Sequence, residues 1–84
     1  MSVTQAVEIS AQLYSNRDAM RRLYGDKWPK IVKEYGDVLR EAMTAGKCDS
    51  ELSAVLWIQR AAGEPMPGMT AALLLAVAVE MIEA

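Results

Sequence analysis

The sequence predicts an all-α fold, a compact, four-helix-bundle-like single domain with an apolar C-terminal helix. Three observations carry that reading. Apolar residues recur at steps of three and four along most of the chain, and no stretch alternates as a strand would. Capping residues and glycine stops fall at the ends of each periodic stretch. Eighty-four residues with a hydrophobic fraction of 52% suffice for one modest core and no second.

Ser2 followed by Gln5 is a capping-box pattern that opens the first helix. Ala6, Ile9, Leu13, Met20 and Leu23 then fall on one stripe, interrupted only by Asn16. The expected span is 3–24, stopped by Gly25 where a left-handed cap is wanted. The turn-prone residues of "YSNRD" offer a break near Ser15 as the alternative.

The second helix is expected over 27–45, with Asp26 as N-cap, Pro29 in the first turn and an end before Gly46. Its stripe is Trp28, Ile31, Val32, Tyr35, Val38, Leu39, Ala42 and Met43, the cleanest amphipathic pattern in the chain. The third helix is expected over 50–62, capped by Asp49 or Ser50 and stopped by Gly63. Two apolar stripes run along it: Leu52, Val55, Leu56 and Ala62, then Ala54, Trp57, Ile58 and Ala61. The loop "GEPMPGM" leads to a fourth helix over 70–83 with Thr70 as its cap. Only Glu80 and Glu83 are charged there, so this helix must be buried on nearly every side. The expected core is Leu13, Met20, Leu23, Ile31, Tyr35, Val38, Leu39, Leu56, Leu74 and Val77.

Residues 21–36, "RRLYGDKWPKIVKEYG", bring five basic side chains and three aromatics together, the composition of a nucleic-acid site. Helical geometry separates them. Trp28 and Tyr35 lie on the apolar stripe, while Lys30 and Lys33 share the opposite face with Glu34, Asp37, Arg40 and Glu41. One fragment keeps both chemistries on a single flank: Tyr14, Arg17, Arg21 and Tyr24, where two guanidiniums could grip a phosphate and two rings could stack a base. The alternative is that the arginine stems lie over the tyrosine rings and cover the core edge. The net charge of −2 opposes a nucleic-acid partner, although residues 14–35 hold six of the nine basic side chains.

Catalytic chemistry finds little support. The chain has no histidine, which removes histidine acid–base catalysis and histidine-activated nucleophiles. One cysteine, Cys48, cannot make an intrachain disulfide or a usual zinc site; it suits a reducing, cytoplasmic setting. "TAGKC" at 44–48 fails as a phosphate-binding loop, because Glu41 stands at the first glycine position and no strand precedes it. Glu34, Asp37 and Glu41 share a face but have basic neighbours, and Glu80 with Glu83 read as solvated groups near a frayed end. No enzyme activity, metal or cofactor is expected. The start "MSVTQAVEIS" lacks a signal-peptide pattern, and "AALLLAVAV" is about half a bilayer crossing, so no membrane association is expected.

The excess of apolar surface on the third and fourth helices points to a protein interface. Trp57, Ile58 and Ala61 form its centre, with Met66 and Met69 as adaptable neighbours. The leading expectation is therefore a small non-catalytic protein that binds another protein stoichiometrically, as an adaptor or inhibitor. Virus-encoded antagonists of host systems are an analogous class by size and chemistry alone. A homodimer through the third and fourth helices is the simplest form of such an interface. The alternative is a nucleotide or nucleic-acid binder using the Tyr14–Tyr24 flank, and a structural subunit of a larger assembly comes third.

Overall fold

The computed structural model describes residues 3–63 and 66–83, with side chains from residue 8 onward. Four α-helices are present, α1 (Val3–Tyr24), α2 (Trp28–Gly46), α3 (Glu51–Ala62) and α4 (Gly68–Glu83), with a 3-10 turn over Gly25–Lys27. The described residues contain no strand. All-α is the class. The picture of four separately looped helices is too simple, because the path from Val3 to Gly46 is helical throughout and forms one bent rod. The molecule is thus three helical rods, the first sharply bent.

The bend has a local cause. Gly25 sits at φ +53, a left-handed conformation that glycine adopts without a Cβ penalty. Pro29 has no N–H with which to reach back to the Gly25 carbonyl, and that carbonyl accepts from the Trp28 N–H instead. The shorter loop is what makes this turn 3-10. Asp26 does not cap α2: the N-cap position is Lys27, and no side chain bonds there. The other stop signals act as expected at Ser50, whose hydroxyl accepts from the Ser53 N–H at 3.1 Å, and at Gly63, left-handed at φ 69. The helix α1 is continuous through Ser15. Its proposed cap at Ser2 and the Ala6 side chain lie outside the described residues.

Two boundaries shift for tertiary reasons. Gly46 belongs to α2, and Lys47 takes the left-handed cap, its N–H shared between the Met43 and Thr44 carbonyls. Gly46 is required for another purpose: a Cβ built there would lie 2.5 Å from the Trp57 ring. At the other end, α4 begins before Thr70, since the Ala71 N–H already bonds to the Pro67 carbonyl at 3.0 Å.

The hub is α4. It packs against α1, α2 and α3, and four consecutive residues, Ala76 to Val79, are buried on every side. Leu39, Val55 and Val77 are the largest fully enclosed side chains and mark the meeting of α2, α3 and α4. Around them, Trp28, Ala42, Ala54, Leu73 and Leu74 are buried, while Ile31, Tyr35 and Ile58 are half-buried against them. Of the expected core, Leu23 is 64% exposed and Leu56 54% exposed, and Val38 also faces out. Leu23 lies on a flank of α1 that no other helix covers. On α3 the buried line runs through Ala54, Val55 and Ile58, between the two sequence stripes, which turns Leu56 away.

Candidate functional site

Two surfaces could carry function, a charged seam between α1 and α4 and an apolar groove between α2 and α3. At the seam, Tyr14, Arg17 and Arg21 do share one flank of α1, and both guanidiniums point at α4. Arg17 is only 7% exposed. Its NH1 donates to Glu83 at 2.5 Å and its Nε to Asp18 at 2.8 Å, while its guanidinium carbon lies 5.6 Å from the centroid of the Tyr14 ring. Arg21 donates from Nε to Glu80 at 3.0 Å and from NH2 to the same oxygen. The Trp28 indole N–H reaches that oxygen too, at 3.1 Å. Tyr24 stacks on Trp28 with centroids 6.4 Å apart. Beside these charges, the Asn16 amide donates to the Ala72 carbonyl at 2.8 Å.

The electrostatics follow from these contacts. The hydrogen bond to Glu83 outweighs burial and raises the Arg17 pKa above its ordinary value, so this guanidinium is a fixed cation. Burial pushes the Glu80 carboxyl up, but bonds from Arg21 and Trp28 and the charges of Arg21 and Arg17 outweigh it. The carboxyl is held below its ordinary value. Glu80 and Glu83, expected as solvated groups at a frayed end, are the partners of both arginines. A signal for this existed in the sequence: two cations four apart on one helix and two carboxylates three apart on another have matching spacings. What the sequence lacked was any sign that α1 and α4 are neighbours. Among the described residues, no group of three or more His, Cys, Asp or Glu side chains could hold a metal ion.

The second surface is apolar. Val38, Glu41, Ala42 and Ala45 of α2 and Trp57 and Ile58 of α3 enclose an open groove of about 300 Å³. Trp57 is 37% exposed, with the pyrrole edge of its ring seated over Gly46. Ile58 forms part of the floor and also packs on the core. Ala61 is exposed one turn further along α3. Met66 packs against the core and Met69 is exposed in the first turn of α4; neither lines this groove. Val38, expected in the core, lies at the groove's rim instead, beside the buried Leu39 of the same stripe. Beside the groove on α2, Lys30, Lys33, Glu34, Asp37 and Arg40 are all exposed, and Arg40 donates to Asp37 at 2.8 Å.

No family model, no curated protein and no solved structure matches this chain. Among the described residues, no helix is long and apolar enough to cross a membrane.

Proposed function

We propose that this protein is a small, non-catalytic binding protein that engages another protein stoichiometrically through the groove of Val38, Trp57 and Ile58. The observation that supports this reading is the seating of Trp57. Its ring is held against Gly46, yet the side chain is still 37% exposed at the groove. A held aromatic beside a groove loses little side-chain freedom when a partner covers it, which is what an energetic hot spot requires. Because the centre of α4 is enclosed by the other three helices, the contact surface falls to α2 and α3. A second copy meeting the same groove in two-fold fashion is the simplest partner. Absence of histidine and a lone Cys48 agree with a protein that does no chemistry and works in a reducing cytoplasm.

Light scattering after size exclusion tests the reading. The homodimer should weigh twice the 9.2 kDa chain, and Trp57→Glu should halve it. A monomer whose binding to captured proteins is unaffected by Trp57→Glu would overturn the whole proposal. The nucleotide-binding alternative through Tyr14, Arg17, Arg21 and Tyr24 would have to draw Arg21 away from Glu80 and Arg17 from Glu83. Its mark would be sub-micromolar, salt-sensitive oligonucleotide binding abolished by Arg21→Ala.

A further inference from the structure

The helix α1 is seated unlike the other three. Among the described residues it rests on α4, touches α2 only slightly, and makes no contact layer with α3. Clefts remain on either side of the seat. One of about 330 Å³ lies between Leu13, Asn16 and the α4 residues Gly68, Ala72 and Leu75. Another of about 140 Å³ separates Ser10 and Tyr14 from Leu52 of α3, with Val79 and Ile82 as its floor. Among the described residues, α1 is held by close packing along α4, with Met20 buried there, and by directional bonds: the Asn16 amide on the Ala72 carbonyl, Arg17 on Glu83 and Arg21 on Glu80. The tether to the rest of the molecule is three residues long, Gly25–Lys27.

We propose that α1 is an exchangeable arm whose alternative seat is α4 of a second copy of this chain. Every contact of the arm with α4 can be made between chains as well as within one, so exchange needs no new interface chemistry, only a different hinge conformation. Gly25 supplies it. Glycine moves between left- and right-handed φ at little cost, and no atom outside its immediate neighbours lies within 4 Å of where a Cβ would stand. Pro29 prevents the opened rod from becoming a straight helix, because its ring would meet the Gly25 carbonyl one turn back. The opened arm leaves α2 at an angle, away from its own α4. Short hinges at a special backbone conformation favour such exchange. This assembly uses the charged seam and is independent of the Trp57 groove.

Charge reversal across the seam tests it with the full chain. One variant carries Arg17→Glu with Arg21→Glu, the other Glu80→Arg with Glu83→Arg. Within either chain the seam is repulsive; between the two chains both seams are complementary. With Trp57→Glu in every chain to silence the groove, exchange predicts that each variant alone is monomeric with reduced helicity, and that mixing restores helicity and yields a heterodimer at twice the 9.2 kDa chain mass. A mixture that stays monomeric overturns exchange. Gly25→Ala in the otherwise unaltered chain is a second, milder arm, should the reversed variants fail to fold alone. A left-handed alanine is disfavoured, so self-association should tighten about five-fold for each hinge. A Gly25→Ala chain with unchanged self-association counts against exchange.

Discussion

The junction of α2, α3 and α4 and the seam of α1 on α4 join helices of the same protein by opposite means. At the junction, Leu39, Val55 and Val77 are wholly enclosed and the cohesion is apolar burial without direction. At the seam, α1 packs along α4 around the buried Met20, and an amide, two guanidiniums and two carboxylates add directional bonds between clefts on either side. The first tolerates no lost volume. The second depends on charge and on orientation, so it responds to pH and can be satisfied by any copy of the same partner surface. One small molecule thus holds a rigid unit and a more conditional attachment side by side.

Truncation should separate the two regions most sharply at the junction. Leu39→Ala is expected to destabilise by about 2–5 kcal/mol, read as the shift of a chemical-denaturation midpoint. A small shift would mean that the enclosed unit can collapse around the hole. Next in size is Gly46→Ala, which forces the Trp57 ring off α2 and should cost about 1–3 kcal/mol. The same variant should weaken binding at the groove, so measuring stability and binding together tells whether Trp57 is held there for both purposes.

At the seam the effect should be smaller. Arg17→Ala leaves Glu83 without its main partner, yet Glu83 is partly open to water, so about 1–2 kcal/mol is expected. A double-mutant cycle with Glu83→Gln isolates the pair. Acid should act on the seam before the junction. The Glu80 carboxyl is held below its ordinary value of 4.5, so its contribution is full above that pH and fades as pH falls through the depressed value. Stability should therefore drop as the solution is acidified below about pH 4.5, and Glu80→Gln should flatten that slope. A profile unchanged by Glu80→Gln would remove the charged seam as the acid-labile part. Smallest of all, Leu23→Ser is expected within about 0.5 kcal/mol of the parent, because the side chain is exposed.

Leu23 and Leu56 show why parts of the core resisted reading. Both lie on well-formed apolar stripes, but a stripe defines a direction around its own helix and not whether another helix stands opposite. Where other helices stand opposite a stripe, as at Trp28, Leu39 and Ala42, the pattern and the burial agree, while Val38 at its edge is left out. Where the packing axis falls between two stripes, as on α3, half of each is left outside. The seam was harder still. Its spacings are visible in the chain, but Arg17 and Glu83 are 66 residues apart and nothing local links them. Trp57 was legible as a prominent apolar residue; that it would rest on Gly46 was not, since that glycine reads equally well as a helix stop.

By itself the sequence determined the helical class, the stops at Gly25 and Gly63, a cap at Asp49 or Ser50 and the enclosure of the middle of α4. These are consequences of backbone conformation, hydrogen-bonding side chains within a turn, and the angular distribution of apolar groups, all of which act over a few residues. Tertiary structure alone decided that Arg17 and Arg21 face carboxylates, that Gly46 carries an indole and that the Val38–Trp57 groove stays open. Each of those depends on which helix faces which, and that choice is made by the summed burial of all pairs at once.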